Sequence, residues 1–210
     1  MDVMAKPAAS ARWKNRPEGS NWGEFGADDE LGRLNLITPD KVREAAKEVR
    51  EGLSFCLSLP LDYPGGARGD RFPPRLFPTG AGCCNMNRPL SEKFPGATGV
   101  NSDDFVELCL QYSTQWDGLS HYGVAFDADG DGEAEIVYYN GWRGGEDILS
   151  TEDAKRLDRE TGAHRLGIQT YAEHTLQSRG VMLDFERHFG PERRRVRFDD
   201  LEDLLRRMDQ

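Results

Sequence analysis

The stretch from residue 62 to residue 104 limits what this chain can build more than any other. It is rich in Gly, Pro and Asn, with Phe72, Phe77 and Phe94 scattered through it. Gly and Pro interrupt helices and central strands alike. The segment therefore reads as a long irregular excursion, and the regular elements must come from its two flanks. Excursions of such length are more often functional covers than spacers. Its expected place is over the mouth of a site.

Both flanks show element patterns. Thr38 is an N-cap with Pro39 in the first turn; Val42, Ala45, Ala46 and Val49 follow at helical spacing, and Gly52 stops the helix. Leu53 to Leu61 alternates and then runs apolar, which predicts a strand. Phe105 to Leu110 predicts a buried strand or short helix. Residues 150–162 read as a polar helix, Leu166 to Leu176 as an apolar helix or turn, and Val181 to Phe185 as a short buried strand. Phe198 opens a last helix with Leu201, Leu204, Leu205 and Met208 on one face. Its acids come early and Arg206 and Arg207 late, as the helix dipole prefers, and the apolar face is wide enough to need cover. Residues 1–17 are polar and read as a flexible N-terminal segment that Trp22 ends. There is no internal repeat.

A length of 210 residues allows one domain with a full core. A formal net charge of −10 disfavours nucleic acid or an anionic membrane as partner, since both demand a basic patch. No apolar run reaches the 18 or so residues of a membrane span. Met1 to Asn15 lacks the apolar core of a secretory signal, so the expected compartment is the cytoplasm. Cys56, Cys83, Cys84 and Cys109 show no CxxC spacing and are expected as reduced thiols.

The chemistry concentrates in residues 111–121. Gln111, Gln115, Asp117 and His121 follow one another there, delivered to a loop by the apolar approach Phe105 to Leu110. An Asp and a His four apart can orient a water, hold a metal or move a proton. An imidazole ordinarily titrates near neutrality, so His121 is the candidate general acid/base. The plain alternatives are a loop Asp capping its own backbone and a satisfied structural His. Trp116 alternates away from Gln115 and Asp117 in an extended segment, so it is expected to pack behind the site; Trp13, Trp22 and Trp142 read as core or lid aromatics. Asp127 to Glu135 opens like a calcium loop, but Tyr138 stands where the bidentate Glu belongs. With Val124–Phe126 and Ile136–Tyr139 beside it, the segment reads as a solvated hairpin turn. His164, His174 and His188 lack ligand spacing and take surface or capping roles. No dinucleotide fingerprint, P-loop or nucleophile elbow is present.

Two strings carry a family resemblance. Gln111 to His121 is similar to the HxGTHxDxPxH string of the cyclase family, whose best-known members are kynurenine formamidases (arylformamidases) and isatin hydrolase-like enzymes. The family's Thr falls on Thr114, its Asp on Asp117, its last His on His121, and its first two histidines on Gln111 and Gln115. Ser20 to Pro39, with Asn21-Trp22-Gly23, Asp28-Asp29-Glu30 and Leu34-Asn35-Leu36, resembles the NWGRWGxDDExGxLNLxTP string of one branch, where the site commonly reads xTQWDxLxH. Leu166-Gly167-Ile168 and Arg179 to Asp184 are similar to family core segments. The resemblance covers most of residues 18–205.

It implies an α/β fold of the swivelling β/β/α kind, a mixed sheet flanked by helices, over residues 18–210. Family chains continue well past this point, so the resemblance also implies that residues 18–210 are the N-terminal part of the family domain. The implied activity is hydrolysis of an amide, formamide or lactam-like bond in a small aromatic substrate, as in tryptophan catabolism. A divalent zinc or manganese ion is implied on Asp117, Gln115 and Gln111, with His121 relaying the proton, in a homodimer or larger homo-oligomer. Amide oxygens are weak ligands beside imidazoles. The glutamines leave two readings open: a retuned metal site, or loss of the metal and a binding or structural role.

Overall fold

A computed structural model describes residues 12–80, 85–192 and 194–208. Cys83 and Cys84 lie outside the described residues, while Cys56 and Cys109 are free thiols. Two compact units emerge, Met1–Asn35 with Leu53–Thr175, and Leu36–Gly52 with Leu176–Gln210.

The larger unit is built around aromatic packing and one buried amide. Trp13 and Trp22, 9% and 5% exposed, pack with Ala128 and Val137. The two indoles meet edge to face at 5.7 Å, and Phe126 stands edge-on to Trp22 at 6.4 Å. Trp13 thus ties residues 12–17 into the core, further upstream than their polar composition suggests. Phe126 and Val137 lie on β5 (Val124–Phe126) and β6 (Glu135–Val137), an antiparallel hairpin with Ala125 opposite Ile136. The hairpin reading of the acidic segment holds. One Asp127 oxygen accepts from the N–H groups of Gly130 and Asp131 and the other from Gly132, which folds the turn locally.

Asn140 is fully buried with φ +56°, a conformation Asn adopts more readily than most residues. Its Oδ1 accepts from Gly23 N–H at 2.7 Å, and its Nδ2 donates to the carbonyls of Gly26 and Asp29, both at 2.9 Å. The Asp29 carboxylate accepts from Gly32 N–H, Asn35 Nδ2 and the Tyr139 hydroxyl. Burial, then the hydrogen bond and charge of Asp29, push the Tyr139 phenol above its ordinary pKa. The string Asn21 to Asn35 is thereby wrapped around residues 139 and 140.

The rest of this unit consists of short elements. β1 (Arg75–Pro78) pairs antiparallel with β4 (Asp104–Glu107), with Phe77 stacked on Phe105 at 5.0 Å. β2 (Arg88–Pro89) pairs with β3 (Val100–Asn101), and β7 (Ile148–Leu149) with β8 (Gly162–Ala163). α2 (Thr151–Leu157) begins with a reciprocal capping box between Ser150 and Asp153, and α3 (Ile168–His174) follows Gly167. The expected mixed sheet is not what these strands form: among the described residues there are four two-stranded antiparallel sheets. Leu53 to Leu61, read as a strand, pairs with no other strand among the described residues, and its five odd-numbered apolar side chains are all more than half exposed. Periodicity marks a strand only when a partner accepts its ladder bonds. Phe105 to Leu110 does contain a strand, but an exposed one.

In the smaller unit, α1 (Pro39–Ala46) has the expected cap, Lys41 N–H donating to Thr38 Oγ1 at 3.4 Å. It ends at Ala46 rather than at Gly52. Residues 181–184 form no strand; Asp184 instead caps α4 (Phe185–Phe189) by accepting from Arg187 N–H at 2.9 Å. A local side-chain cap outcompetes an apolar run too short to find a ladder. α5 (Phe198–Met208) matches its reading, with Leu204 buried and Phe198, Leu205 and Met208 exposed. No helix of the described residues is long and apolar enough to cross a membrane.

Asn140→Ala should strand the Gly23 N–H and two carbonyls in a dry interior. The expected loss is about 2–4 kcal/mol of stability. For a chain of this size that lowers the melting midpoint by roughly 5–15 °C, readable by circular dichroism.

Candidate active site

The loop holding the sequence-selected residues is fixed from behind by a missing side chain. A Cβ on Gly118 would stand 2.8 Å from both the Leu166 carbonyl oxygen and the Ile168 nitrogen. Only glycine lets the two backbones come this close. Ser120 N–H donates to the Leu166 carbonyl at 3.1 Å, and Leu166 is itself wholly buried with φ +61°. Glu30 holds that conformation in place, accepting from Leu166 N–H at 2.7 Å and pairing with Arg165 at 2.9 Å.

The front of the loop is tied to residues 59–71. Leu59 N–H donates to Thr114 Oγ1 at 2.9 Å, and Ser113 Oγ donates to the Pro60 carbonyl at 2.7 Å. Tyr112 donates to the Gly66 carbonyl at 2.7 Å, and Arg71 to the Gln111 carbonyl at 2.8 Å. The start of the Gly/Pro-rich excursion therefore braces the loop. An open cavity of about 480 Å³ lies beside β1 and β4, lined by Phe72, Pro73, Arg75, Glu107, Leu108 and Cys109.

All four selected residues come together. His121 Nδ1 lies 3.3 Å from Asp117 Oδ1 and 3.4 Å from Gln111 Nε2. Gln115 Nε2 donates towards the two Asp117 oxygens at 3.3 and 3.5 Å. The short 3-10 turn Leu119–His121 sets the pair at i and i+4, so one turn of chain creates the contact. Asp117 and His121 are 45% and 40% exposed at their side chains, open to a substrate and to water. Trp116 does not pack behind them: it is 67% exposed, because the loop turns at Gly118 instead of continuing as an alternating strand.

The donor set does not suit zinc or manganese. Catalytic zinc sites use three strong protein ligands, and here one carboxylate and one imidazole stand with two amides. Elsewhere, oxygens of Asp127, Asp129 and Glu135 lie within 4.8 Å of one another and could hold a metal ion. Arg143 already stands there, paired with Glu135 and 4.0 Å from Asp129, and supplies positive charge to the hairpin.

Glu30, Arg71, Gly118 and Leu166 shape the site without having been singled out as functional. The Asp28-Asp29-Glu30 and Leu166-Gly167-Ile168 strings were visible as unusual, but their meeting is a long-range fact that no local pattern encodes. Gly118→Ala should push residues 117–121 off Leu166. Overpacking of this kind costs about 1–3 kcal/mol. A lowered melting midpoint together with altered His121 resonances would register it, and an unchanged His121 spectrum would show the seat to be soft.

No family model matches the chain, and no curated protein matches it. Among solved structures, one described as the crystal structure of a novel cyclase is 31% identical, with a TM-score of 0.63 over 90% of this chain. The chain spans 56% of the length of that protein. Over nine-tenths of its length the chain is thus similar in sequence and backbone to that cyclase.

Proposed function

We propose that this chain is a cyclase-family hydrolase acting on an amide, formamide or lactam-like carbonyl in a small aromatic molecule. The observation that carries the reading is the contact of Asp117 Oδ1 with His121 Nδ1 at 3.3 Å on a half-exposed loop. An imidazole held at Nδ1 by a carboxylate presents Nε2 as a base of fixed orientation. Nε2 takes a proton from water as the water oxygen bonds to the carbonyl carbon. The C–N bond then breaks, and His121 returns that proton to the leaving nitrogen. Exposed Trp116, next to Asp117, favours an aromatic substrate, since an indole face left in water is available for stacking.

A binding or structural role is the second reading, favoured by the glutamines at 111 and 115. Turnover assays on aromatic formamides, anilides and lactams separate the two. Hydrolysis by the parent supports the enzyme; binding of these compounds with no turnover supports the second reading. In the enzyme, His121→Ala should lower kcat about 10²–10⁴-fold with little change in melting, because the ring is half exposed. Asp117→Asn should cost a roughly similar factor, since a neutral amide neither fixes the Nδ1–H tautomer nor stabilises the imidazolium as a carboxylate does. Activity within a few-fold of the parent would remove either residue from the mechanism.

A further inference from the structure

We infer that Gln111, Gln115, Asp117 and His121 form a metal-free acid–base site, in which Asp117 positions His121 and neither glutamine ligates an ion. The inference rests on the loop being the reactive site, as proposed above, and extends it to how the carboxylate is used.

Gln115 decides the first half. Its amide faces both Asp117 oxygens, at 3.3 and 3.5 Å. An amide NH₂ is attracted to a carboxylate and an amide oxygen repelled, so chemistry fixes which end points there. Gln115 Oε1 is thereby turned away from Asp117. To share an ion with Asp117, Gln115 would have to flip and give up this charge-assisted contact. The glutamine acts as a surrogate for the cation.

Ligand count decides the second half. Among the described residues no third His, Cys, Asp or Glu joins Asp117 and His121; the acidic group of that kind lies at residues 127, 129 and 135. Two strong ligands on a half-exposed loop compete poorly with water for zinc or manganese. The carboxylate is left to the ring. It draws the imidazole proton to Nδ1; the Gln111 amide, whose nitrogen stands 3.4 Å from Nδ1, must then turn over so that its oxygen accepts from that N–H. Nδ1 becomes a donor and leaves the set of ligands.

Calorimetric titration of the purified full chain with Zn²⁺ tests the first half without needing a substrate. The parent and Asp117→Asn should give the same heats. Gln111→His with Gln115→His should bind Zn²⁺ at least about 100-fold more tightly than the parent, and Asp117→Asn in that background should abolish the gain. Micromolar binding by the parent that Asp117→Asn removes would overturn the inference. So would a double variant no tighter than the parent, because missing imidazoles would then not be what excludes the ion. The positioning role has its own readout in the ¹⁵N shifts of His121, assigned with His121→Ala. Protonation at Nδ1 in the parent, moving towards Nε2 in Asp117→Asn, is expected; an Nε2–H ring in the parent would overturn it. Absence of hydrolase activity would sink the proposed function but leave these results standing.

Discussion

The larger unit depends on one side-chain amide. Asn140 is fully buried just after β6, against the Asn21 to Asn35 string, and both ends of its amide are used. A buried amide is costly unless satisfied. Here it is satisfied by backbone groups of residues 23, 26 and 29, so the string can take one course around it. Asp29, placed by this wrapping, gathers Gly32, Asn35 and Tyr139. Glu30, next in the chain, reaches Leu166, and Leu166 receives the loop of Asp117 and His121. A core polar group and a surface constellation are thus linked through three consecutive hand-offs.

The legible parts of the fold were those whose causes are local. Thr38 with Pro39, the polar helix read from residue 150, the glycine-rich acidic turn and the α5 stripe each carry their explanation within a few residues. Failures came where a pattern needs a partner. Leu53 to Leu61 has strand periodicity and no ladder, and Val181 to Phe185 lost to a cap at Asp184. The site was half legible. Spacing alone put Asp117 and His121 one turn apart, and the glutamines were adjacent by register. That Trp116 faces water, and that Gly118 presses on Leu166, follow from contacts across nearly fifty residues of sequence, which no window of local pattern contains.

The site itself combines a braced backbone with open side chains. Hydrogen bonds from residues 59–71 hold its front and the Leu166 seat its back, while Asp117 and His121 remain half in water. This division suits proton transfer: orientation comes from the main chain, and access is not sacrificed to obtain it. The loop's backbone is held by these protein contacts, whatever side chains stand at 111 and 115.

The acidic hairpin shows the same economy by another route. Where a calcium loop borrows its cation from solution, this turn keeps one covalently attached, in the Arg143 guanidinium among Asp129 and Glu135. A tethered counter-ion cannot be diluted, chelated or exchanged. The hairpin that carries Phe126 and Val137 into the tryptophan core therefore brings part of the charge balance of its acids from within the chain itself.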